Sequence, residues 1–348
     1  MKSPRVSIVL VNWNGKAYIG ACLRSLGKIV YPSCEVIVVD NASTDGSVSF
    51  IRRNFPHTHV IANKKNLGFA AGCDAALGSA RGTFILLLNP DTTVEPGFLA
   101  YLVEAIERDK KIAVVQPKVL LAAKKRRIDS VGSFFLPTGL LYHFGREKDE
   151  RRPQHNQPMK IFSAKGVCML IRRSVIDTIG LFDPDYFAYF EETDFCMRAW
   201  LAGWSVWYEP RARIYHKGGF AFAKQRAPFI YFHSVKNMFC TYIKNLSIAR
   251  LVFVFFWLIP FHLAAVAFFL LKRDVSVAGA ILGGLWWNLT HMAQTYNKRQ
   301  RIQTNRRISD EAYLPAVTRT VSPSYYYYQF FGNLRDYVDG FSQLVAFI

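Results

Sequence analysis

Phe84-Ile85-Leu86-Leu87-Leu88-Asn89-Pro90-Asp91-Thr92 is the stretch on which the fold turns. A run of apolar residues of strand length stops at an acid held in a Pro-containing turn. Such uninterrupted runs are the mark of strands buried on both faces of a parallel sheet. Ligands of open α/β sheets collect at the carboxyl ends of the strands, where Asp91 falls. Upstream the same rhythm repeats. Val6 to Val11 reads as a strand, Ala17 to Leu26 as a helix, and Glu35 to Val39 as a strand ending at Asp40. Ser43-Thr44-Asp45-Gly46-Ser47 supplies capping residues for the next helix. His59 to Ala62 is a short strand, Gly68 to Ala80 a helix of small residues, and Pro96 to Arg108 a further helix. Strands alternating with helices specify βαβ units, hence an α/β, Rossmann-like class with a mainly parallel sheet.

Beyond residue 110 the alternation weakens. Ile112 to Leu121 and Val167 to Ile171 read as strands, and Lys124 to Lys160, basic and rich in Pro, Gly and His, as loops with short strands. Ser174 to Ile179 is a short helix ending at Gly180. Glu191 to Leu201 is helical in period, with Asp194 and Arg198 at i,i+4 and Gly203 as its stop. Ser205 to Tyr208 reads as the final strand, with His216 beyond it. Leu251 to Leu271 then carries no charge, which is long enough to cross a bilayer. Val275 to Leu289 is a second, shorter apolar run with Trp286 and Trp287 suited to a headgroup zone. The basic cluster Lys298, Arg299, Arg301, Arg306 and Arg307 follows. Both a membrane-spanning hairpin and helices lying in the interface fit these runs. The chain thus divides into an α/β domain over 1–225, a helical membrane-associated region over 226–310, and a tail over 311–348 without an assignment.

The 348 residues are 51% hydrophobic yet carry a formal charge of +19, a pairing that suits an anionic membrane face or phosphorylated ligands. No zinc-finger spacing or RNP-like aromatic motif supports nucleic acid as a partner. The six cysteines show no paired spacing, which points to a reducing compartment rather than a disulfide frame. Lys2 and Pro4 lead straight into a strand, so no leader peptide is expected.

Several ordered motifs share one pattern: Val-Asn-Trp-Asn-Gly at 11–15, Val-Val-Asp-Asn-Ala-Ser-Thr-Asp-Gly-Ser at 38–47, Asn66 to Gly72, and Leu-Leu-Leu-Asn-Pro-Asp-Thr at 86–92. Tyr-Phe-Glu-Glu-Thr-Asp-Phe-Cys-Met-Arg at 189–198 and His216-Lys217-Gly218-Gly219 extend it. Together they resemble family-2 glycosyltransferases of the GT-A fold, in particular the bacterial rhamnosyltransferase-like members, over roughly residues 5 to 310. The resemblance implies a nucleotide-sugar donor, with Val11, Asn12, Asp40, Asn66, Gly68 and Asn89 lining its nucleotide. It also implies a Mn2+ or Mg2+ ion held by Asp91, with His216 as a nitrogen donor suited to Mn2+. Asn89 stands where the family's aspartate–any–aspartate motif begins, and Cys73-Asp74 stand where asparagine is frequent.

The chemistry is sensible on its own terms. Charge grows on a diphosphate as the glycosidic bond breaks, and a divalent cation bridging the phosphates stabilises it. A carboxylate base takes the acceptor's proton, and the resemblance aligns Glu192 with that role beside Glu191. Asp194 is both half of a helical ion pair and a candidate for holding an acceptor hydroxyl. One base and no protein nucleophile imply a single displacement with inversion. The resemblance further implies rhamnose from dTDP-rhamnose, a lipid-linked glycan acceptor, and cell-envelope polysaccharide synthesis at the cytoplasmic face of the bacterial inner membrane. The alternative is a non-catalytic membrane-anchored scaffold that retains a nucleotide-binding fold.

Overall fold

The computed structural model describes residues 4–124, 126–218 and 227–330. Its first half is the expected alternation: β1 (Val6–Asn12), α1 (Lys16–Leu26), β2 (Cys34–Asp40), α2 (Ser47–Asn54), β3 (His59–Ala62), α3 (Gly68–Leu77), β4 (Phe84–Leu88), β5 (Thr92–Val94) and α4 (Phe98–Glu107). Next come β6 (Ile112–Leu121), β7 (Ile128–Ser130), β8 (Ser133–Phe135), β9 (Leu141–His143), β10 (Met159–Lys160), β11 (Cys168–Arg172), α5 (Arg173–Ile179), α6 (Glu191–Leu201) and β12 (Ser205–His216). The main sheet runs β10-β12-β6-β11-β4-β1-β2-β3, with β5 and β7 paired to β12 and β6. Strands β1 to β4 are parallel, while β11 runs antiparallel between β4 and β6.

Residues Phe84 to Leu88 are buried throughout and alternate between the two faces. Ile85 and Leu87 join the larger core, and Phe84, Leu86 and Leu88 the smaller one. Two glycines fit α3 to the sheet. Gly72 lies where a Cβ would come within 2.8 Å of Val11 Cγ1, so only glycine lets the helix approach β1 this closely. Gly68 has φ +79°, and a Cβ there would meet the Phe187 carbonyl at 2.3 Å. Cys73 is buried in the core, and the Phe182 amide donates to the Asp74 carboxylate. The departure at 73–74 therefore belongs to packing against the 181–182 loop.

The last strand is longer than its apolar pattern. It was expected to close at Tyr208, but β12 runs on through an irregularity between Glu209 and Arg213. Antiparallel pairing with β5 then sets His216 opposite Thr92. His216 is thus the final residue of a strand rather than part of the following loop. Gly219 lies outside the described residues.

The C-terminal helices are α7 (Ala227–Asn245), α8 (Ile248–Leu271), α9 (Val275–Thr290), α10 (Met292–Thr304), α11 (Asp310–Val317) and α12 (Pro323–Phe330). Helix α7 had no counterpart in the sequence reading, and from Val235 to Asn245 it is buried throughout. Val235, Met238, Tyr242, Leu258, Tyr313 and Tyr325 belong to the same core cluster as Val9 and Leu87. Helix α11 stacks Tyr313 on Trp200, and Tyr325 of α12 packs edge-on against Tyr142, so the first part of the tail docks back on the α/β domain. The boundary drawn at 225/226 and the end of the tail, 331–348, lie outside the described residues.

The basic tract is largely spent inside the protein. Lys298 pairs with Asp183 and Asp185, Arg299 donates to the Ile243 and Leu246 carbonyls, and Arg306 bonds Asp310 and the Asn245 carbonyl. This corrects the expectation that the tract as a whole faces lipid headgroups. Lys244, 1% exposed, sits between Asp183 and Asp194. Lys244→Met removes the ammonium shared by two buried carboxylates, leaving Asp183 to Lys298 and Asp194 to Arg198. It is expected to cost about 3–5 kcal/mol of unfolding free energy, read by urea denaturation.

Candidate active site

One rim of the sheet collects the polar residues because the carboxyl ends of β1, β2, β4 and β12 all open there, together with the start of antiparallel β11. The Asn89 amide donates to the Val167 carbonyl at 2.9 Å and ties the end of β4 to that start. At the other side of the rim, Asp40 is buried and accepts from the Asn12 side-chain amide (2.8 Å) and the Ser43 backbone amide (2.8 Å). The Asn41 side chain donates to the Gly68 carbonyl, and the Gly68 amide donates to Asn66 Oδ1 at 2.9 Å. Asn12, Asp40, Asn66 and Gly68 are therefore brought into one continuous loop cluster beside half-buried Val11. The Asn12 Oδ1 atom is buried without a partner there.

Asp91 faces His216, whose Nε2 lies 3.3 Å from Asp91 Oδ2. On its other side His216 Nδ1 lies 2.9 Å from Asp129 Oδ2, and Lys165 Nζ is 3.7 Å from Asp129 Oδ1. Burial opposes a charge on His216, but its hydrogen bonds to Asp129 and Asp91 outweigh that and raise the imidazole to about 9. Burial likewise works against the Asp129 carboxylate, but Lys165 and His216 hold it well below the usual range. The Asp91 backbone is fixed as well, since the Lys217 amide donates to its carbonyl at 2.9 Å.

The donor set suits a divalent cation. An imidazole anchored through Nδ1 on a carboxylate and presenting Nε2 beside a second carboxylate is the usual support of a metal-bound histidine. Among the described residues no third His, Cys, Asp or Glu joins the pair. Two protein donors completed by substrate phosphates and water are the common pattern for Mg2+, and the imidazole extends it to Mn2+.

Glu191 and Glu192 open α6. Both carboxyls are raised by burial, but not equally. Glu191 is buried to 5% exposure and feels the Glu192 charge, which pushes it well up. Glu192 is half-buried, accepts from the Gly166 amide and feels the Lys165 ammonium, which offset part of its desolvation. The two environments differ: Glu191 lies beside the Glu192 charge, Glu192 beside the Lys165 ammonium. Each keeps one buried oxygen, Oε2, without a partner.

Asp194 is not at the rim. It is fully buried, and its oxygens are taken by Arg198 Nε (2.8 Å), Lys244 Nζ (2.9 Å) and the Asn245 amide (2.9 Å). The expectation that it contacts substrate is corrected: with its oxygens bonded inside the core, it offers nothing to a sugar. Trp204 and Trp207 are packing residues, the latter donating to Ser205 Oγ at 3.0 Å. Asp129, Lys165 and Gly166 were missed. Their signals were an acid inside the apolar Ile128-Asp129-Ser130-Val131 and a Lys-Gly turn opening a buried strand.

Residues 7–180 match the family model described as Glycosyl transferase family 2. The chain belongs to that family. The matched residues of this glycosyltransferase include Asp40, Asp91, Asp129 and Lys165, while Glu192 and His216 lie beyond them. It is 25% identical over 229 residues to the N-acetylglucosaminyl-diphospho-decaprenol L-rhamnosyltransferase of Mycobacterium tuberculosis, covering 60% of this chain and 75% of that protein. It is 28% identical over 204 residues to the low-salt glycan biosynthesis hexosyltransferase Agl10 of Haloferax volcanii, covering 56% of this chain and 61% of the relative. Among solved structures, the mannosyltransferase PcManGT of Pyrobaculum calidifontis with GDP-Man and Mn2+ matches with TM-score 0.52 and 18% identity, over 87% of this chain and 86% of that one. GalNAc-T7 with UDP, GalNAc and Mn2+ matches with TM-score 0.54 and 17% identity, over 69% of this chain but 48% of that one. The fold is therefore GT-A, and an enzyme using a nucleotide-sugar donor is what the family and the rim agree on. Of the two departures that motivate the scaffold alternative, Asn89 and Cys73-Asp74, the second is taken up by packing, and the family speaks for an enzyme.

Proposed function

We propose that this glycosyltransferase moves L-rhamnose from dTDP-rhamnose to a polyprenyl-diphosphate-linked glycan, with inversion, at the cytoplasmic face of a bacterial inner membrane. The observation that carries the reading is the approach of Asp91 to His216, with Glu192 feeling Lys165, which lies 3.7 Å from the Asp129 that bonds His216. Val11, Asn12, Asp40, Asn66, Gly68 and Asn89 line the nucleotide, with Asp40 and Asn12 at the base end. Asp91 and His216 hold Mn2+ or Mg2+, which when bound neutralises the charge developing on the diphosphate. Asp129 orients the imidazole, and Lys165 balances Asp129 while favouring an ionised Glu192. Glu192 accepts the proton of the acceptor hydroxyl as that oxygen attacks the anomeric carbon. Glu191 is its more deeply buried neighbour.

The rhamnosyl donor and lipid-linked acceptor are supported by the activity printed for the Mycobacterium tuberculosis relative. The lipid side is supported by α8, 24 residues long with mean hydropathy 2.3 in its most apolar window and only 22% of that window buried. Val252, Phe253, Phe256, Trp257 and Leu263 stand exposed along it, and Trp286 of α9 is 65% exposed. An apolar patch of this extent on a charged protein fits a bilayer. At about 1.5 Å per residue α8 is long enough to span and the 16-residue α9 is not.

A thermal-shift screen of nucleotide sugars with Mn2+ tests the donor. A donor at about 100 times its Kd adds about 2.7 kcal/mol to the folded state, so dTDP-rhamnose is expected to raise Tm by several degrees. A larger shift with UDP- or GDP-sugars would reassign the donor, and no shift with any donor would overturn the reading.

A further inference from the structure

The backbone that leads into the base-bearing helix is held by a buried side chain of the C-terminal helices. Asn237 of α7 is fully buried, and its Nδ2 donates to the Ala188 carbonyl (2.9 Å) and the Tyr189 carbonyl (2.7 Å). The next residues carry the strain of this region: Tyr189 has φ 70° and Phe190 φ 68°. Bulky side chains rarely adopt the left-handed region, and two in succession persist only where the surroundings over-determine them. Phe190 is also the N-cap of α6 and offers no side-chain cap, so the helix start depends on the backbone entering it. Glu191 and Glu192 follow directly.

The same segment is gripped from the donor side. The Phe69 amide donates to the Phe187 carbonyl at 2.7 Å, next to Gly68. Tyr186 donates to the Asn237 carbonyl (3.0 Å) and bonds Thr241 (2.8 Å). Behind α7, Asn288 of the apolar α9 donates to the Lys236 carbonyl at 3.0 Å, and Gly284 lies against the Phe232 carbonyl and the Lys236 amide. A continuous set of contacts thus runs from the apolar helices to the start of α6.

We propose that Asn237 is a positioning residue for the reaction: its amide holds the 188–190 backbone in the left-handed path that aims Glu192 at the acceptor. The proposal rests on the reading of Glu192 as the base. It makes the C-terminal helices part of the catalytic geometry as well as a surface for lipid.

The test compares Asn237→Leu with Thr241→Val, which loosens the same helix face without touching the 188 and 189 carbonyls. In Asn237→Leu, kcat for sugar transfer is expected to fall about 10- to 100-fold, the scale of a small misplacement of a reacting group, with nucleotide affinity within about twofold. Hydrogen exchange of amides 188–193 is expected to rise about tenfold or more, as local opening becomes easier. Thr241→Val is expected to stay within about threefold of wild type in both readouts. An unchanged kcat or unchanged exchange in Asn237→Leu, an equal loss in Thr241→Val, or a parallel loss of nucleotide affinity overturns the proposal. Should Asn237→Leu fail to fold, Asn237→Ser retains one short donor and must show intermediate exchange; wild-type exchange there overturns it. The exchange experiment needs no substrate, so a wild-type protein that transfers no sugar would refute the functional reading while leaving the clamp separately decided.

Discussion

Asp91→Asn is expected to lower the turnover of sugar transfer by about 10^2- to 10^3-fold, the cost of removing one preorganised electrostatic contact to a developing charge. The substitution keeps size and shape, and the Lys217 amide still bonds the residue 91 carbonyl, so folding is expected to be unaffected. What is lost is the anionic oxygen 3.3 Å from His216 Nε2. A neutral amide binds a hard cation weakly, so the variant should also need a higher Mn2+ concentration for its residual rate. Steady-state kinetics over a Mn2+ titration, with circular dichroism as a control for folding, checks this. Wild-type turnover at wild-type metal demand would remove the cation from the account of this rim.

Glu192→Gln is expected to cost about 10^2- to 10^4-fold in kcat, the usual worth of a positioned base, with donor affinity preserved. Glu191→Gln should be far milder, because Glu191 is the more deeply buried of the two. The pH dependence has a definite sign. Burial raises Glu192 above the ordinary glutamate value, although Lys165 and the Gly166 amide limit the rise. The ionised base is therefore present above that raised value and is lost as pH falls through it. The acid limb of kcat should lie above pH 4.5, the ordinary value, with a tenfold fall per pH unit below it. Removing the ammonium in Lys165→Met should move the limb to still higher pH. A Glu192→Gln enzyme near wild-type turnover beside a dead Glu191→Gln would exchange the two roles.

Helix α6 shows how far local pattern reaches. Its start at Glu191, its stop near Gly203 and the Asp194–Arg198 pair all follow from spacing along one helix, and all are present. Its second partner, Lys244, is 50 positions further along the chain, and nothing in the local spacing announces it. The same limit hid Asp129, which meets His216, and Lys165, which meets Asp129, because these contacts depend on β6, β7, β11 and β12 lying side by side. Helix α7 escaped notice because it is buried over half its length and carries polar residues that bond to other segments, so no amphipathic stripe stands out.

By itself the order of residues determined the α/β class, the strands that end at Val11, Asp40 and Leu88, and the two apolar C-terminal runs. Those features depend on periodicity and on short-range turn and capping chemistry, which act between neighbours in the chain. Only the tertiary structure decided that β12 continues to His216 opposite Thr92, that Asp194 and much of the basic tract face inward, and that Glu192 feels Lys165. Each of these depends on which strands and helices become adjacent, and burial and charge at a residue are set by those neighbours in space.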